Sequence, residues 1–274
     1  MPDDSSQPIL RFDDVTLSFG GPPVLNHISF SVLPGETRII FGAAGSGKTI
    51  LLKTALGLLR PDTGRVYVFG HDITRMPERD LFDIRSRIGM LFQEGALFDS
   101  LTIEENVCYP LLNQKSIRST PEQARARAEE VLRFVELEHT MDKRPSELSG
   151  GMRRRVGIAR AVATRPPLVL YDSPTAGLDP ITANTIIAVI VKQRDVSNVT
   201  TLMVTHRYQD GNLMANYRWD AATGGLRPAT NGERARLRTT FMVLREGRLV
   251  FEGTQQELEA SEDPYVSRFV VRST

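Results

Sequence analysis

Cysteine is nearly absent from these 274 residues, with Cys108 standing alone. A single thiol excludes an intrachain disulfide framework and fits a reducing compartment. Long apolar runs are missing too. None approaches the roughly 20 residues that span a bilayer, although 41% of the residues are hydrophobic. Net charge is close to nil, since 34 Lys and Arg stand against 33 Asp and Glu for a balance of +1. No overall field therefore marks the chain for nucleic acid or an anionic membrane. His27, His71 and His139 are isolated residues of ordinary surface or core type and build no metal-ligand cluster. Neither an internal repeat nor a long low-complexity segment occurs. The opening MPDDSSQPIL is acidic and polar, unlike a signal peptide. The expectation is a cytosolic protein whose membrane association comes through a partner.

What is present is the hydrophobic patterning of a globular α/β chain. The first eight residues read as a loose tail. VTLSF (15–19) and HISFSV (27–32) alternate apolar and polar residues, as half-buried strands do. TRIIFG runs apolar into a glycine-rich loop, and TILLKTALGLL continues as a helix that Pro61 and Gly64 are expected to stop. VYVFG (66–70) is a further strand. PEQARARAEEVLRFVEL (121–137) places Ala124, Ala128, Val131, Leu132 and Val135 on one helical face, with Pro121 suited to the first turn. A helix follows LSGG at 148–151. PPLVLYD (166–172) and TTLMVTH (200–206) are buried strands separated by the helix ITANTIIAVIVKQ. Alternating strands and helices imply a mostly parallel sheet, and the N-terminal strands an added antiparallel layer.

GAAGSGKT, residues Gly42, Ala43, Ala44, Gly45, Ser46, Gly47, Lys48 and Thr49, satisfies every fixed position of G-x-x-x-x-G-K-[ST]. It lies between a strand and a helix, the context this phosphate-binding loop requires. Backbone N–H groups close around phosphate oxygens, helped by the dipole of the helix N-terminus. Lys48 is placed to reach the terminal phosphates, and the Thr49 hydroxyl to bind Mg²⁺. In LSGGMRRRVGIARA (148–161), Gly150 and Gly151 open a helix, so bare N–H groups point outward as a second anion site. One phosphate loop has no use for that second site on its own nucleotide, whereas two copies arranged head to tail have one. Arg153, Arg154 and Arg155 are consecutive and cannot share a helix face, so they are expected on a solvated or ion-paired surface. Cys108 is expected to serve packing.

These motifs, in this order, resemble those of ATP-binding cassette (ABC) proteins over nearly the whole chain. The resemblance implies an α/β fold with a P-loop NTPase (RecA-like) core, a mostly parallel sheet, an antiparallel β subdomain and a helical signature subdomain. It implies one domain over 8–274, with the helical part over about 94–165. Phe19 matches the aromatic that stacks on adenine, and Gly42 to Thr49 match the Walker A loop. Gln93 matches the Q-loop glutamine, which with Thr49 and Asp172 serves Mg²⁺. Ser149, Gly150 and Gly151 match the signature, Asp172 the Walker B acid, Asp179 the D-loop and His206 the switch histidine. In the family each ATP lies between the phosphate loop of one subunit and the signature of the other. ATP and Mg²⁺ are thus the implied cofactors. The implied partners are a second ATPase subunit, expected to be identical, and a polytopic membrane permease, with no nucleic acid. The implied location is the cytoplasmic face of the inner membrane.

GMLFQEGALFDSLTIEENVCYPLL (89–112) and SEDPYVSRFV (261–270) resemble segments of Mla- and Mce-type lipid-transport ATPases. In that family the region after Gln93 receives a coupling helix of the permease, which makes Phe92, Leu97 and Phe98 candidate docking residues or plain core. Residues 207–240 read as a polar insertion, a surface hairpin or a disordered loop.

Ser173 departs from the pattern, because the residue after the Walker B acid is usually Glu. A hydroxyl holds water but is a poor base at neutral pH. Hydrolysis is therefore expected to be slow, with Ser173 and His206 orienting water and with Gln93 and Asp172 serving the reaction beside them. Two alternatives are a second cassette that carries the glutamate, and a substitute carboxylate such as Glu94 or Asp179. The expected function is ATP hydrolysis coupled to transport of a phospholipid or other amphipathic substrate. The rival class is an ATP-gated clamp outside transport.

Overall fold

Three short segments, TRIIFG, LVLYD and TTLMVT, are buried at every position. Strands covered on both faces belong inside a parallel sheet, and that is where they lie. The computed structural model describes residues 7–93, 95–114 and 116–270. The expected loose tail therefore falls largely outside the described residues.

The antiparallel lobe begins with β1 (Leu10–Leu17) and β2 (Leu25–Val32). Strand β3 (Thr37–Gly42) leads into α1 (Lys48–Ala55), followed by β4 (Thr63–Val68), the short β5 (His71–Asp72), α2 (Glu78–Ser86) and β6 (Ile88–Leu91). A helical stretch holds α3 (Ile103–Asn113), α4 (Pro121–Phe134) and α5 (Gly150–Val162). The chain then returns through β7 (Leu168–Asp172), α6 (Pro180–Ser197) and β8 (Thr200–Thr205). It closes with α7 (Tyr208–Asn216), β9 (Tyr217–Asp220), β10 (Gly225–Pro228), α8 (Asn231–Arg236), β11 (Thr239–Arg245), β12 (Arg248–Gly253) and α9 (Gln255–Glu259).

The main sheet has the order β12-β11-β3-β8-β7-β6, parallel except for the β11–β12 pair. An antiparallel sheet of order β2-β1-β4-β5 covers one side. Residue alternation divides the main sheet between two cores. Ile39, Phe41, Val169 and Tyr171 join the core shared with the helical stretch. Ile40, Leu168 and Leu170 join the core shared with α1 and the antiparallel sheet. The expected α/β class, with its parallel sheet, antiparallel β layer and signature-bearing helical part, is the observed one. Helix α4 is capped by Thr120, with Pro121 in its first turn. Its expected face of Ala124, Ala128, Val131, Leu132 and Val135 is buried.

Boundaries differ at two helices. Helix α1 ends at Ala55, well before Pro61, because Gly57 takes a left-handed φ of 64° that stops the helix. Helix α4 ends at Phe134 rather than 137, where Glu136 also turns left-handed.

Within 207–240 the structure contains α7, the β9–β10 hairpin and α8. The hairpin is fixed to the end of α6. Asp195 accepts hydrogen bonds from the Trp219 N–H (2.8 Å) and from Arg194 (2.9 Å), and Arg218 lies 3.5 Å away. Arg194 also donates to the Met214 and Tyr217 carbonyls. Removing one member of a buried ion pair costs about 3–5 kcal/mol. Asp195→Ala is therefore expected to lower stability by about 3 kcal/mol and to change the emission of Trp219, the sole tryptophan. Urea titration followed by fluorescence reads both effects.

Cys108 is buried on α3, as expected for packing. Burial, with the Glu104 charge in support, pushes its thiol up to about 11. A thiol reagent at about pH 8 should leave the native chain unlabelled and react once urea unfolds it.

Candidate nucleotide site

The parallel strands end on one edge of the main sheet, where ligands bind in open α/β folds. Strand β3 delivers Gly42 there, β7 delivers Asp172, and β8 delivers Thr205 and then His206. Between β3 and α1 the chain turns through residues 43–47. Gly47 has a φ of 101°, and a Cβ there would stand 2.6 Å from the Val24 carbonyl oxygen, so only glycine fits.

A cleft of about 680 Å³ opens over this edge. Its lining includes Phe19, Val24, Ala44 to Thr49, Gln93, Ser173, Ala176 and His206. Phe19 is an exposed aromatic, 61% accessible. Lys48 curls back so that its ammonium donates to the carbonyls of Gly42 and Ala43, both at 2.7 Å. Burial lowers the Lys48 pKa, and the Asp172 charge opposes that shift. A phosphate replacing those carbonyls would meet a preformed cation.

The floor of the cleft is carboxylate and hydroxyl. Thr49 Oγ1 donates to Asp172 Oδ2 (2.8 Å), and Ser173 Oγ donates to Asp172 Oδ1 (3.3 Å). Hard oxygen donors beside a phosphate loop suit Mg²⁺, which takes one or two carboxylates and completes its shell with phosphate and water. Thr49 and Asp172 meet that donor requirement, and Gln93 lines the same cleft. Ser173 is buried in the left-handed region (φ 47°), with its N–H bonded to the Val204 carbonyl at 2.9 Å.

The signature lies outside this cleft. Ser149 caps α5 by accepting from the Met152 N–H (3.3 Å), and Gly150 and Gly151 form the first turn. Gly150 faces Leu178, and Gly151 packs on Thr182. Asp179 accepts from the N–H groups of Ile181 and Thr182, both at 3.0 Å, and so caps α6. Hydrogen bonds from Thr182 and Ile181 hold its carboxyl below the ordinary range. Signature and D-loop thus form one surface, with Ile181 81% exposed upon it.

Residues 25–176, over half the chain, match the family model described as ABC transporter. The chain belongs to the ABC transporter family. Over 266 residues it is 31% identical to the intermembrane phospholipid transport system ATP-binding protein MlaF of Haemophilus influenzae, covering 97% of this chain and 91% of that protein. It is 42% identical over 207 residues to the methionine import ATP-binding protein MetN of Mesorhizobium japonicum, covering 75% of this chain and 56% of that one. A solved dimeric ATP-binding cassette in a post-hydrolysis state, bound to ADP and Pi, superposes with a TM-score of 0.73 at 29% identity. That match covers 89% of this chain and 98% of that one. The P-loop NTPase core expected from the motifs is therefore present.

In this cassette the cleft brings together Phe19, the phosphate loop, Gln93, Ser173 and His206, with Asp172 beneath. Ser149, Gly150, Gly151 and Asp179 do not join them. Of the two substitute carboxylates, Asp179 is engaged in capping and Glu94 lies outside the described residues. One expectation is corrected. Arg154 is buried, 7% exposed, and donates to the carbonyls of Ser173 and Ala176, both at 3.1 Å. Arg153 and Arg155 also reach backbone carbonyls, those of Leu148 and Val135. Three consecutive arginines splay around α5, and the middle one faces the cassette's interior.

Two further polar residues escaped sequence reasoning. Asp210, wholly buried on α7, accepts from the hydroxyls of Thr175 (2.6 Å) and Thr205 (2.7 Å). Burial raises its pKa against those two hydrogen bonds. Tyr265 Oη accepts from the Ala43 N–H (3.3 Å) and donates to the Leu244 carbonyl (3.2 Å), tying the C-terminal segment to the phosphate loop. Asp210 lies in the stretch read as a polar insertion, and Tyr265 lies in SEDPYVSRFV, a segment singled out by resemblance without a role for its tyrosine.

Charge-assisted hydrogen bonds are worth about 1.5–3 kcal/mol. Lys48→Ala is therefore expected to weaken ATP binding roughly 10–150-fold, as read by calorimetric titration.

Proposed function

We propose that this cassette is the ATP-hydrolysing subunit of a transporter for phospholipid or another amphipathic substrate. It works as an ATP-closed head-to-tail homodimer beneath a membrane permease, on the cytoplasmic face of the inner membrane. The observation that carries the reading is the division of the ATP machinery into two separated surfaces. The phosphate loop, Gln93, Ser173 and His206 line one cleft, while Ser149 to Gly151 lie elsewhere beside the exposed Ile181. A second copy supplies the missing half.

The phospholipid assignment rests on coverage. The phospholipid-transport relative matches along 97% of this chain, whereas the more identical methionine-import relative matches 75%. A groove of about 290 Å³ lined by Phe92, Phe98, Tyr109 and Pro110 is the docking surface for a permease segment. The Phe98 and Tyr109 rings meet at 4.7 Å, tilted by 46° to one another, and both are exposed there. Leu97 packs instead against the core.

In the mechanism, Phe19 stacks on the base, while Lys48 and the loop N–H groups bind the phosphates. Thr49, Asp172 and Gln93 would hold Mg²⁺, which would supply charge neutralisation for the phosphoryl oxygens. Ser173 and His206 position the attacking water by hydrogen bonding. Ser173 is no base at neutral pH, so the step loses the roughly 10²–10⁴-fold that a positioned base supplies. Phosphoryl transfer proceeds on positioning and electrostatics.

The test is ATP turnover by the purified chain beside Ser173→Glu, with nucleotide affinity measured in parallel. Slow wild-type turnover, normal ATP–Mg²⁺ affinity and a gain of about 10²-fold or more in the variant are expected. A folded, ATP-binding Ser173→Glu chain with no gain overturns the view that the absent glutamate limits the rate. Co-purification with a polytopic membrane protein supports transport, whereas DNA or ribosomes support the clamp.

A further inference from the structure

Residues 173–176 are gripped from two sides by buried polar groups. From α5, the Arg154 guanidinium reaches the carbonyls of Ser173 and Ala176 with two different nitrogens. From α7, the Asp210 carboxylate takes the Thr175 hydroxyl and, with the same oxygen, the Thr205 hydroxyl. Thr205 in turn accepts from the Arg207 N–H at 3.1 Å, immediately after His206. The second Asp210 oxygen and Arg207 Nη1 form an ion pair at 3.7 Å, both buried and without a hydrogen-bond partner among the described residues. Movement of the His206–Arg207 segment is therefore felt at Asp210.

We propose that Arg154, Thr175 and Asp210 form a clasp that makes the placement of Ser173 depend on both the signature helix and the switch segment. Arg154 is a positioning residue that acts through the Ser173 backbone. The proposal rests on the head-to-tail reading. In such a dimer the N-terminus of α5 belongs to one ATP and Ser173 to the other. Arg154 lies one helical turn after Gly150, so displacement of the signature by ATP is transmitted through a single side chain to the opposite site. The left-handed φ of Ser173 (47°) leaves little backbone freedom by which the residue could keep its place without these restraints.

The experiment compares full-length wild type with Arg154→Ala, Thr175→Val and Thr175→Ser. It measures ATP affinity, ATP-driven dimer formation by light scattering, and the ATP dependence of turnover. Misplacing a reacting group by about 1 Å costs up to roughly 100-fold. Arg154→Ala and Thr175→Val should lower kcat roughly 10–100-fold with ATP affinity unchanged. The Hill coefficient should fall from a value between 1 and about 2, the limit for two sites, towards about 1. Thr175→Ser, which keeps the hydroxyl, should behave as wild type. Thr175→Val also serves if Arg154→Ala folds poorly. An unchanged kcat and Hill coefficient, or a loss that only follows weakened ATP binding, overturns the clasp alone. Wild type that binds ATP but forms no dimer overturns the two-site reading and the clasp together.

Discussion

The polar groups of the nucleotide cleft are arranged around one constraint: strands β3, β8 and β7 are buried on both faces. Ile39 and Ile40 face different cores, as do Leu170 and Tyr171. A strand in that position has no solvent-facing side on which to carry chemistry, so its functional groups emerge at its ends. Because the three strands are parallel, their carboxyl ends share one edge. There Thr49 meets Asp172, Ser173 sits against Val204, and His206 follows β8. The phosphate loop is held in turn from outside the sheet. Gly247 donates to the Ser46 carbonyl, and Tyr265 accepts from Ala43.

This constraint also explains which parts were legible in the sequence. Buried parallel strands announce themselves as short apolar runs, and the loops that follow them carry fixed residue types. Hence the strands and the residues of the cleft stood at the expected edge. Helix α4 was legible because its apolar residues recur at helical spacing and Thr120 and Pro121 mark its start. Its end, like that of α1, was not, because a left-handed residue such as Gly57 or Glu136 stops a helix without interrupting the apolar pattern. The least legible residues were polar groups turned inward. Arg154 sits in a run of three arginines, and composition assigns such a run to solvent. Only tertiary structure shows that its guanidinium meets two backbone carbonyls rather than water. Asp210 was hidden in the same way, inside a segment whose polarity suggested exposure throughout.

The position next to Asp172 combines two unusual properties, and they bear on each other. Ser173 lacks an acid, and its backbone is left-handed, a conformation that costs a residue with a Cβ about 1–2 kcal/mol. Such a cost persists only where surrounding contacts determine the backbone. Here they are the Val204 carbonyl on one side and the Arg154 guanidinium on the other. The structure therefore holds this residue firmly in place while giving it a hydroxyl in place of a base. Loss of a base worth about 10²–10⁴-fold raises the barrier by roughly 3–5 kcal/mol, without touching the groups that bind phosphate. In a dimer closed by ATP, that barrier sets how long the closed state lasts. On the proposed dimer reading, the substitution lengthens the closed interval while leaving intact the contacts that close it.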